Sequence, residues 1–464
     1  MRDVNLLYPS PCTALRTGAA RLVWSLRSAV MSRAMRLLVA CVVGLLTIGG
    51  IASSIQVAPA SSKRARLYDP NPNHLWNRIH EEFHIRVARD RSEYGLDTVD
   101  PLLWRETQHL LRGPSYASAA RVLDEFLTSN GESQIRDRVK RAVFQHDLWA
   151  IFDWLALRSE SENKAARSAL MQRVARVIRR VALSQKNIEA LPDTYAAAIA
   201  SGAFAAASSQ QQPYLPRELF SSTGPWVGVG GTEPLVPQHA AELGRSAFIV
   251  LWNLPSGSAE TREYLQKLWN FPQPFVVDET FQFARDGEVR AKLNPALPRV
   301  PDGTQIALVR KMLLIADTGA IVPSNIVESI QVRAFPGRTF SEVRFSRGAL
   351  FTGKAGGLRT VAADDRDFIT FSAKGTDPFE IQSFGGPARL PRVLDSCINC
   401  HQMEFEPAIE TVRSLRQMLR PGSLVDSRYE RWARWFTQPI VAAEAKSRSY
   451  EWGLLQGLWQ SQPR

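Results

Sequence analysis

The chain has 464 residues, of which 45% are hydrophobic and 22% are charged. This composition is typical of folded proteins and excludes a disordered or low-complexity chain. The formal net charge is +12, but residues 1–60 contain six arginines and one aspartate, so the rest of the chain carries only +7. That charge is too diffuse to predict a nucleic-acid-binding face, and it is compatible with an acidic protein partner or an anionic membrane surface.

The first 60 residues have the features of an export signal. Arg33 and Arg36 precede an uncharged apolar run over residues 37–51, and Ala58-Pro59-Ala60 offers a small-residue cleavage site. The apolar run is shorter than the roughly 20 residues that a spanning helix needs. We therefore expect a periplasmic or exported protein with a cleaved leader, and the alternative is a retained N-terminal membrane anchor.

A second motif follows the leader, because His80-Glu81-Glu82-Phe83-His84 matches the pattern H-E-x-x-H. On a helix, His80 and His84 would share one face and bind zinc, and Glu81 would act as the general base of a hydrolase. The alternative is a histidine pair that binds no metal. A further alternative gives one of these histidines to a haem iron.

The periodicity around this motif leaves its local structure open. Apolar residues at 75, 79, 83 and 87 have helical spacing, whereas residues 83–89 alternate between apolar and polar like a strand. Candidates for a third metal ligand are chosen by proximity alone, and they are Glu93, Glu106 and His109.

Beyond the motif, the hydrophobic period changes along the chain. Residues 61–215 show mainly helical spacing, for example over 115–129, 133–157 and 162–184. Residues 216–394 show mainly a period of two with frequent turn residues, which predicts a β-rich region. Its clearest features are strands over 306–315 and 329–335, with a turn at residues 316–320 after the first of them.

The cysteines are unevenly distributed. Cys12 and Cys41 lie in the leader, and after it the chain contains only Cys397 and Cys400, which His401 follows directly. Two cysteines separated by two residues can present both sulfurs to one edge of a porphyrin, and the adjacent histidine can then reach the iron.

The five residues Cys397–His401 and the export signal resemble those of c-type cytochromes. The resemblance implies one covalent haem c, attached through Cys397 and Cys400, with His401 as the proximal iron ligand. It also implies one-electron transfer and a redox partner protein. The distal iron ligand stays open between an exchangeable ligand, Met418, His80 and His84.

Other interpretations of the cysteine pair are possible. A thiol–disulfide oxidoreductase can use a C-x-x-C dithiol, here Cys397 and Cys400. Half of a zinc site would need another pair of ligands nearby, and the nearest other histidine in the sequence is His239. The pair could also be two buried structural cysteines.

Together these patterns predict an α+β protein in four parts. Residues 1–60 are the leader, 61–215 a helical domain, 216–394 a β-rich domain and 395–464 a short helical segment that binds haem c. The last segment contains Trp432, Trp435, Trp452 and Trp459, which would either cover a haem or form ordinary helix-packing core.

The leader generates the first testable prediction. The mature protein should begin at Ser61, because Ala58-Pro59-Ala60 follows the apolar run at the position that a signal peptidase uses. Intact-mass spectrometry of the exported protein checks this. A mass that includes residues 1–60 would instead indicate a membrane anchor.

Overall fold

The structure of the chain is a computed structural model. It describes residues 67–87, 91, 93–97, 109–157, 163–206, 214–229, 244–273, 275–277, 291–335, 340–361, 379 and 440–461. All of these lie in one compact unit that spans Lys63–Arg464.

The described helices and strands are numbered here in chain order. The helices are α1 (Leu75–His84), α2 (Gly113–Thr128), α3 (Arg138–Leu157), α4 (Lys164–Arg180), α5 (Gln185–Glu189), α6 (Thr194–Ala200), α7 (Ser258–Trp269), α8 (Arg347–Thr352), α9 (Ile440–Ser447) and α10 (Tyr450–Gln460). The strands are β1 (Arg86–Val87), β2 (Glu93–Tyr94), β3 (Val227–Val229), β4 (Ser246–Asn253), β5 (Phe275–Val277), β6 (Ala291–Leu293), β7 (Gln305–Ile315), β8 (Ile321–Ala334), β9 (Phe340–Phe345) and β10 (Leu358–Thr360).

The central feature is a six-stranded antiparallel sheet with the strand order β10-β9-β8-β7-β4-β3. Its longest pairing, β7 with β8, is a hairpin that turns through residues 316–320, as the sequence predicts. The Ala316 amide donates to the Ala320 carbonyl at 2.8 Å. Gly319 takes a φ of +84°, which a residue with a side chain rarely adopts. Two smaller two-stranded sheets pair β1 with β2 and β5 with β6.

Helix α3 joins the helices to the sheet. Every residue from Ala142 to Ala156 in it is buried, which a one-sided amphipathic helix would not show. The buried polar residue Gln145 pairs with the end of β7: its Nε2 donates to the Ile315 carbonyl, and its Oε1 accepts from the Ile315 amide, both at 2.9 Å. The side-chain amide thus extends the ladder of hydrogen bonds beyond the last strand residue.

The helices and the sheet share their hydrophobic cores. One core combines residues of α1, α2, α3, α4 and α10 with Leu313 and Ile315 of β7. A second core lies between the sheet and α5, α6 and α8. The C-terminal helix α10 belongs to the first core, where Trp452 packs on Trp149 of α3 with ring centroids 5.7 Å apart.

The mixed α+β class predicted from the sequence is confirmed, because helices accompany a six-stranded antiparallel sheet. The boundary near residue 216 stays a prediction, although side chains from both sides of it meet in the cores. The helical segment predicted over 395–464 is described only over residues 440–461, as α9 and α10, and residues 395–439 lie outside the described residues. None of the described helices is both long and apolar enough to cross a membrane.

A buried charge cluster fixes the C-terminal helices to the rest of the fold. Asp153 of α3 accepts hydrogen bonds from Arg245 and from Lys446 of α9, each at 2.8 Å, and all three side chains are buried. Lys446 also donates to Glu451 of α10 at 2.7 Å. One carboxylate therefore compensates two cations from distant parts of the sequence.

Asp153→Ala should destabilise the protein by about 3–5 kcal/mol, because it leaves two buried cations short of a partner. The matched control is Asp124→Ala, which removes an exposed partner of Arg173 and should cost less than about 1 kcal/mol. Urea unfolding of the full chain measures both. Equal losses of stability in the two variants would contradict the importance assigned to the cluster.

Candidate functional site

The H-E-x-x-H motif forms the last turn and a half of α1. The helix begins where the His74 imidazole accepts a hydrogen bond from the Trp76 amide at 3.3 Å. It ends at His84, because Ile85 is extended and β1 starts at Arg86. His80 and His84 are four residues apart and therefore lie on one face, with ring centroids separated by 5.2 Å.

The C-terminal end of α1 is closed by the chain around β2. Gly95 has a φ of +86°, and its Cα lies so close to the His84 carbonyl that a Cβ there would be 1.8 Å from that oxygen. Only glycine permits this approach. The close contact holds residues 95–97 against the helix end that carries the two histidines.

A third side chain joins the histidines from α3. Ligand atoms of His80, His84 and Asp147 all lie within 4.8 Å of one another. The three residues are 1%, 2% and 4% exposed. The candidates chosen by proximity, Glu93 and His109, do not belong to this group, and Glu106 lies outside the described residues.

The His80 ring has a defined hydrogen-bonding role. Its Nε2 lies 3.0 Å from the Leu96 carbonyl, which can only accept, so Nε2 carries the proton and Nδ1 keeps its lone pair. Among the described residues, no donor reaches this buried Nδ1. A histidine that donates one ring N–H to a backbone carbonyl and keeps the other nitrogen free has the arrangement of a metal-ligating histidine.

Asp147 is held by a fully buried arginine. Arg347 of α8 donates from Nη2 to Oδ1 at 2.5 Å and from Nε to Oδ2 at 3.0 Å, a bidentate geometry. Its Nη1 donates to the Asp97 carbonyl at 2.8 Å. The pair thus links α3, α8 and the segment that closes α1, and it fixes the carboxylate beside the histidines.

Tyr68 completes the cluster. Its buried hydroxyl lies near Asp147 and Arg347 but has no hydrogen-bond partner of good geometry among the described residues. Its ring meets His80 edge-on with centroids 5.8 Å apart. Burial, aided by the charge of Asp147, raises the pKa of Tyr68 well above its ordinary value, so the phenol is neutral at pH 7.

Both histidines are neutral in this environment. Burial lowers the pKa of His80 and of His84 well below the ordinary value, and the positive charge of Arg347 lowers each of them further. A neutral imidazole is the form that binds a metal ion. The cluster therefore offers two nitrogen ligands without the cost of removing a proton from them at pH 7, and the carboxylate of Asp147 lies beside them.

The two glutamates of the motif are more exposed than its two histidines. Glu81 and Glu82 are only partly buried, and Glu82 accepts a hydrogen bond from Ser118 of α2. A catalytic zinc keeps a coordination position open to water and substrate. The near-complete burial of His80, His84 and Asp147 suits a closed metal site better than a hydrolytic one.

The predicted haem residues Cys397, Cys400, His401 and Met418 lie outside the described residues. Two of the four tail tryptophans are described: Trp452 and Trp459 are buried in the first core with ring centroids 6.0 Å apart, and Trp459 donates to the Ala175 carbonyl. These two tryptophans therefore pack the helices.

Comparison with known proteins identifies no matching family model, no matching curated protein and no matching solved structure. Function must therefore be argued from the residues themselves.

The neutral histidines generate a prediction about pH. Their folded-state pKa values lie below the unfolded value of about 6.5, so the unfolded chain takes up protons first as the pH falls. Stability is therefore complete above about pH 6.5 and decreases below it, by about 1.4 kcal/mol per pH unit for each histidine. His80→Gln should reduce the loss between about pH 7 and pH 5.5 by roughly 1.4 kcal/mol.

Urea unfolding in the presence of EDTA measures this difference, and His109→Gln is the matched control from outside the cluster. An unchanged pH dependence in His80→Gln would show that His80 is protonated in the folded state.

Proposed function

We propose that this chain is an exported haem c protein that transfers single electrons in the periplasm. The observation that carries the proposal is the sequence Cys397-Ile398-Asn399-Cys400-His401. Its donor set fits the cofactor, because two thiols can form the two thioether bonds and the histidine can bind the iron.

The distribution of thiols supports the proposal. After the leader, the chain contains no cysteine other than Cys397 and Cys400. An exported protein with one cysteine pair has no disulfide framework to explain it. A covalent haem accounts both for the pair and for the histidine that follows it.

We further propose that the haem-binding segment, residues 395–464, forms a helical third part after a helical domain (61–215) and a β-rich domain (216–394). The described residues on either side of the motif support a tethered segment. Phe379 lies under the guanidinium of Arg86, 4.4 Å from ring centroid to Cζ, and α9 begins at Ile440. Phe379 and α9 both belong to the same compact unit.

The choice of the distal iron ligand depends on the structural change that each candidate would require. His80 and His84 are enclosed in the first core, so either could bind a haem iron only if α1 separated from α3. An exchangeable ligand and Met418 impose no such cost on the described fold. We propose an exchangeable ligand, which leaves one face of the iron open to small molecules.

A zinc-dependent hydrolase is the second candidate, and one observation favours it: the motif is helical and Asp147 joins its two histidines. The burial of all three groups opposes it, because a catalytic zinc needs a position open to water and substrate. The third candidate, a thiol–disulfide oxidoreductase, would use Cys397 and Cys400 and needs no haem.

The partner of an electron carrier can be described by its charge. Outside the leader the chain carries a net charge of +7. We therefore propose an acidic redox partner protein, with association of the N-terminus with the membrane as a further contact where the leader is retained. A nucleic-acid partner is not proposed.

Replacement of either Cys397 or Cys400 by alanine should reduce or abolish covalent haem, because each sulfur supplies one thioether bond. The proteins are produced in a host that matures c-type cytochromes, and haem is stained on a denaturing gel. Ser396→Ala is the neighbouring control and should stain like the wild type. His401→Ala should shift the absorption bands and the reduction potential together, since it removes the proximal ligand.

Undiminished staining in both cysteine variants would overturn the haem assignment. Absence of stain in the wild type, together with a redox-active dithiol, would replace it with the oxidoreductase.

A further inference from the structure

We propose that His80, His84 and Asp147 form a closed binding site for a divalent first-row metal ion, for which zinc is the probe, and that this ion fastens α1 to α3. The proposal concerns a second cofactor and is independent of the haem motif. It assigns the H-E-x-x-H sequence a structural role in place of hydrolysis.

The donor set is the first argument. Two imidazoles and one carboxylate match the ligands of zinc sites and of non-haem iron sites. Their ligand atoms lie within 4.8 Å of one another, and zinc bonds of about 2.0–2.2 Å bring such atoms together with small side-chain movements. Two of the ligands come from one helical turn and the third from α3, so an ion would connect the two elements.

The second argument is an uncompensated polar atom. The Nδ1 of His80 is buried and has no hydrogen-bond donor among the described residues, while Nε2 is fixed by the Leu96 carbonyl. A buried acceptor that lacks a partner costs about 1–3 kcal/mol. A metal ion in contact with Nδ1 removes that cost and uses the orientation that Leu96 imposes.

Tyr68 provides a fourth donor group, a hydroxyl oxygen, at the same place. Its hydroxyl is also buried and also lacks a partner of good geometry in the described part of the chain. It lies beside Asp147, the residue that the two histidines approach. The Tyr68 hydroxyl and the His80 Nδ1 therefore border the position where a four-coordinate ion would be held.

The positive charge of Arg347 disfavours a cation in this site, but the geometry of its hydrogen bonds to Asp147 limits this effect. Each carboxylate oxygen can accept more than one interaction, so the hydrogen bonds from Nη2 and Nε leave lone pairs of Asp147 available. Asp97 lies on another side of the guanidinium and contributes a second negative charge next to it. Ligating carboxylates in metal sites are commonly hydrogen-bonded in this way.

Burial decides between a structural and a catalytic ion. The three ligands are almost completely inaccessible to solvent, so no position remains open to a substrate. Glu81, the general base of a hydrolytic H-E-x-x-H site, is only partly buried, unlike the three ligands. A closed site of this kind acts on stability, since binding free energy becomes folding free energy.

The test begins with the full-length wild-type protein. It is equilibrated with zinc, passed into metal-free buffer and measured for zinc and iron by mass spectrometry, with iron counted separately for the haem. We expect about one zinc per chain. Thermal unfolding with zinc should have a midpoint several degrees above that measured with a chelator.

Variants then locate the ion. His80→Gln and His84→Gln should lose most of the zinc and the zinc-dependent rise in midpoint. The matched control His109→Gln should retain both. Asp147→Asn also leaves the buried Arg347 without its charged partner, so this variant is interpreted only if circular dichroism shows a folded chain. The wild-type measurements decide the proposal without it.

Three results would overturn the proposal. One is wild-type protein that retains no zinc or extra iron and shows no shift in midpoint. Another is zinc that is lost in the double variant Cys397→Ala/Cys400→Ala but kept in His80→Gln, which would place it on the thiols. The third is a haem spectrum altered in His80→Gln without any zinc, which would make His80 an iron ligand. Iron beyond the haem that His80→Gln removes would support the same site with Fe²⁺ as its ion.

Discussion

The buried ion pair between Arg347 and Asp147 is the constraint on which this fold and its candidate site depend. It joins α3 to α8, and through the Asp97 carbonyl it reaches the segment that closes α1. Removal of one partner from a buried pair costs about 3–5 kcal/mol, a large part of the 5–15 kcal/mol that stabilises a typical protein. The two residues are 200 positions apart in the sequence, so their ion pair connects distant parts of the chain.

The same pair sets the electrostatics of the cluster. The guanidinium compensates Asp147 and lowers the pKa values of His80 and His84, so the cluster contains neutral rings and a neutral ion pair. The two neutral imidazoles can bind a metal ion without first losing a proton. The lone pair of His80 Nδ1 and the hydroxyl of Tyr68 have no hydrogen-bond partner of good geometry among the described residues. These are the two atoms that the proposed ion would satisfy.

Local patterns in the sequence predicted the β7–β8 turn and the helices α2, α3 and α4, because their spacing depends on near neighbours. At α1 the sequence shows both helical and strand-like spacing because the chain changes from helix to strand there. The helix stops at His84, where Gly95 packs against it, and β1 begins two residues later. Asp147 was not predicted as a ligand because it lies 63 residues beyond His84. It belongs to a helix that the sequence identifies by its apolar residues and not by its polar ones. The run Gln145-His146-Asp147 inside this largely apolar helix is the signal in the sequence that could have revealed it.

The C-terminal helices bear on how a haem could be carried. Lys446 of α9 contributes to the buried charge cluster of Asp153, and Trp452 and Trp459 of α10 belong to the first core. The chain therefore returns to the core after the C-x-x-C-H motif, and Phe379 already contacts that core before it. A haem attached at Cys397 and Cys400 would belong to a segment held at both ends. Loss of α9 and α10 would expose buried tryptophans and remove one of the two cations that compensate Asp153, so these two helices and the rest of the fold must be stable together.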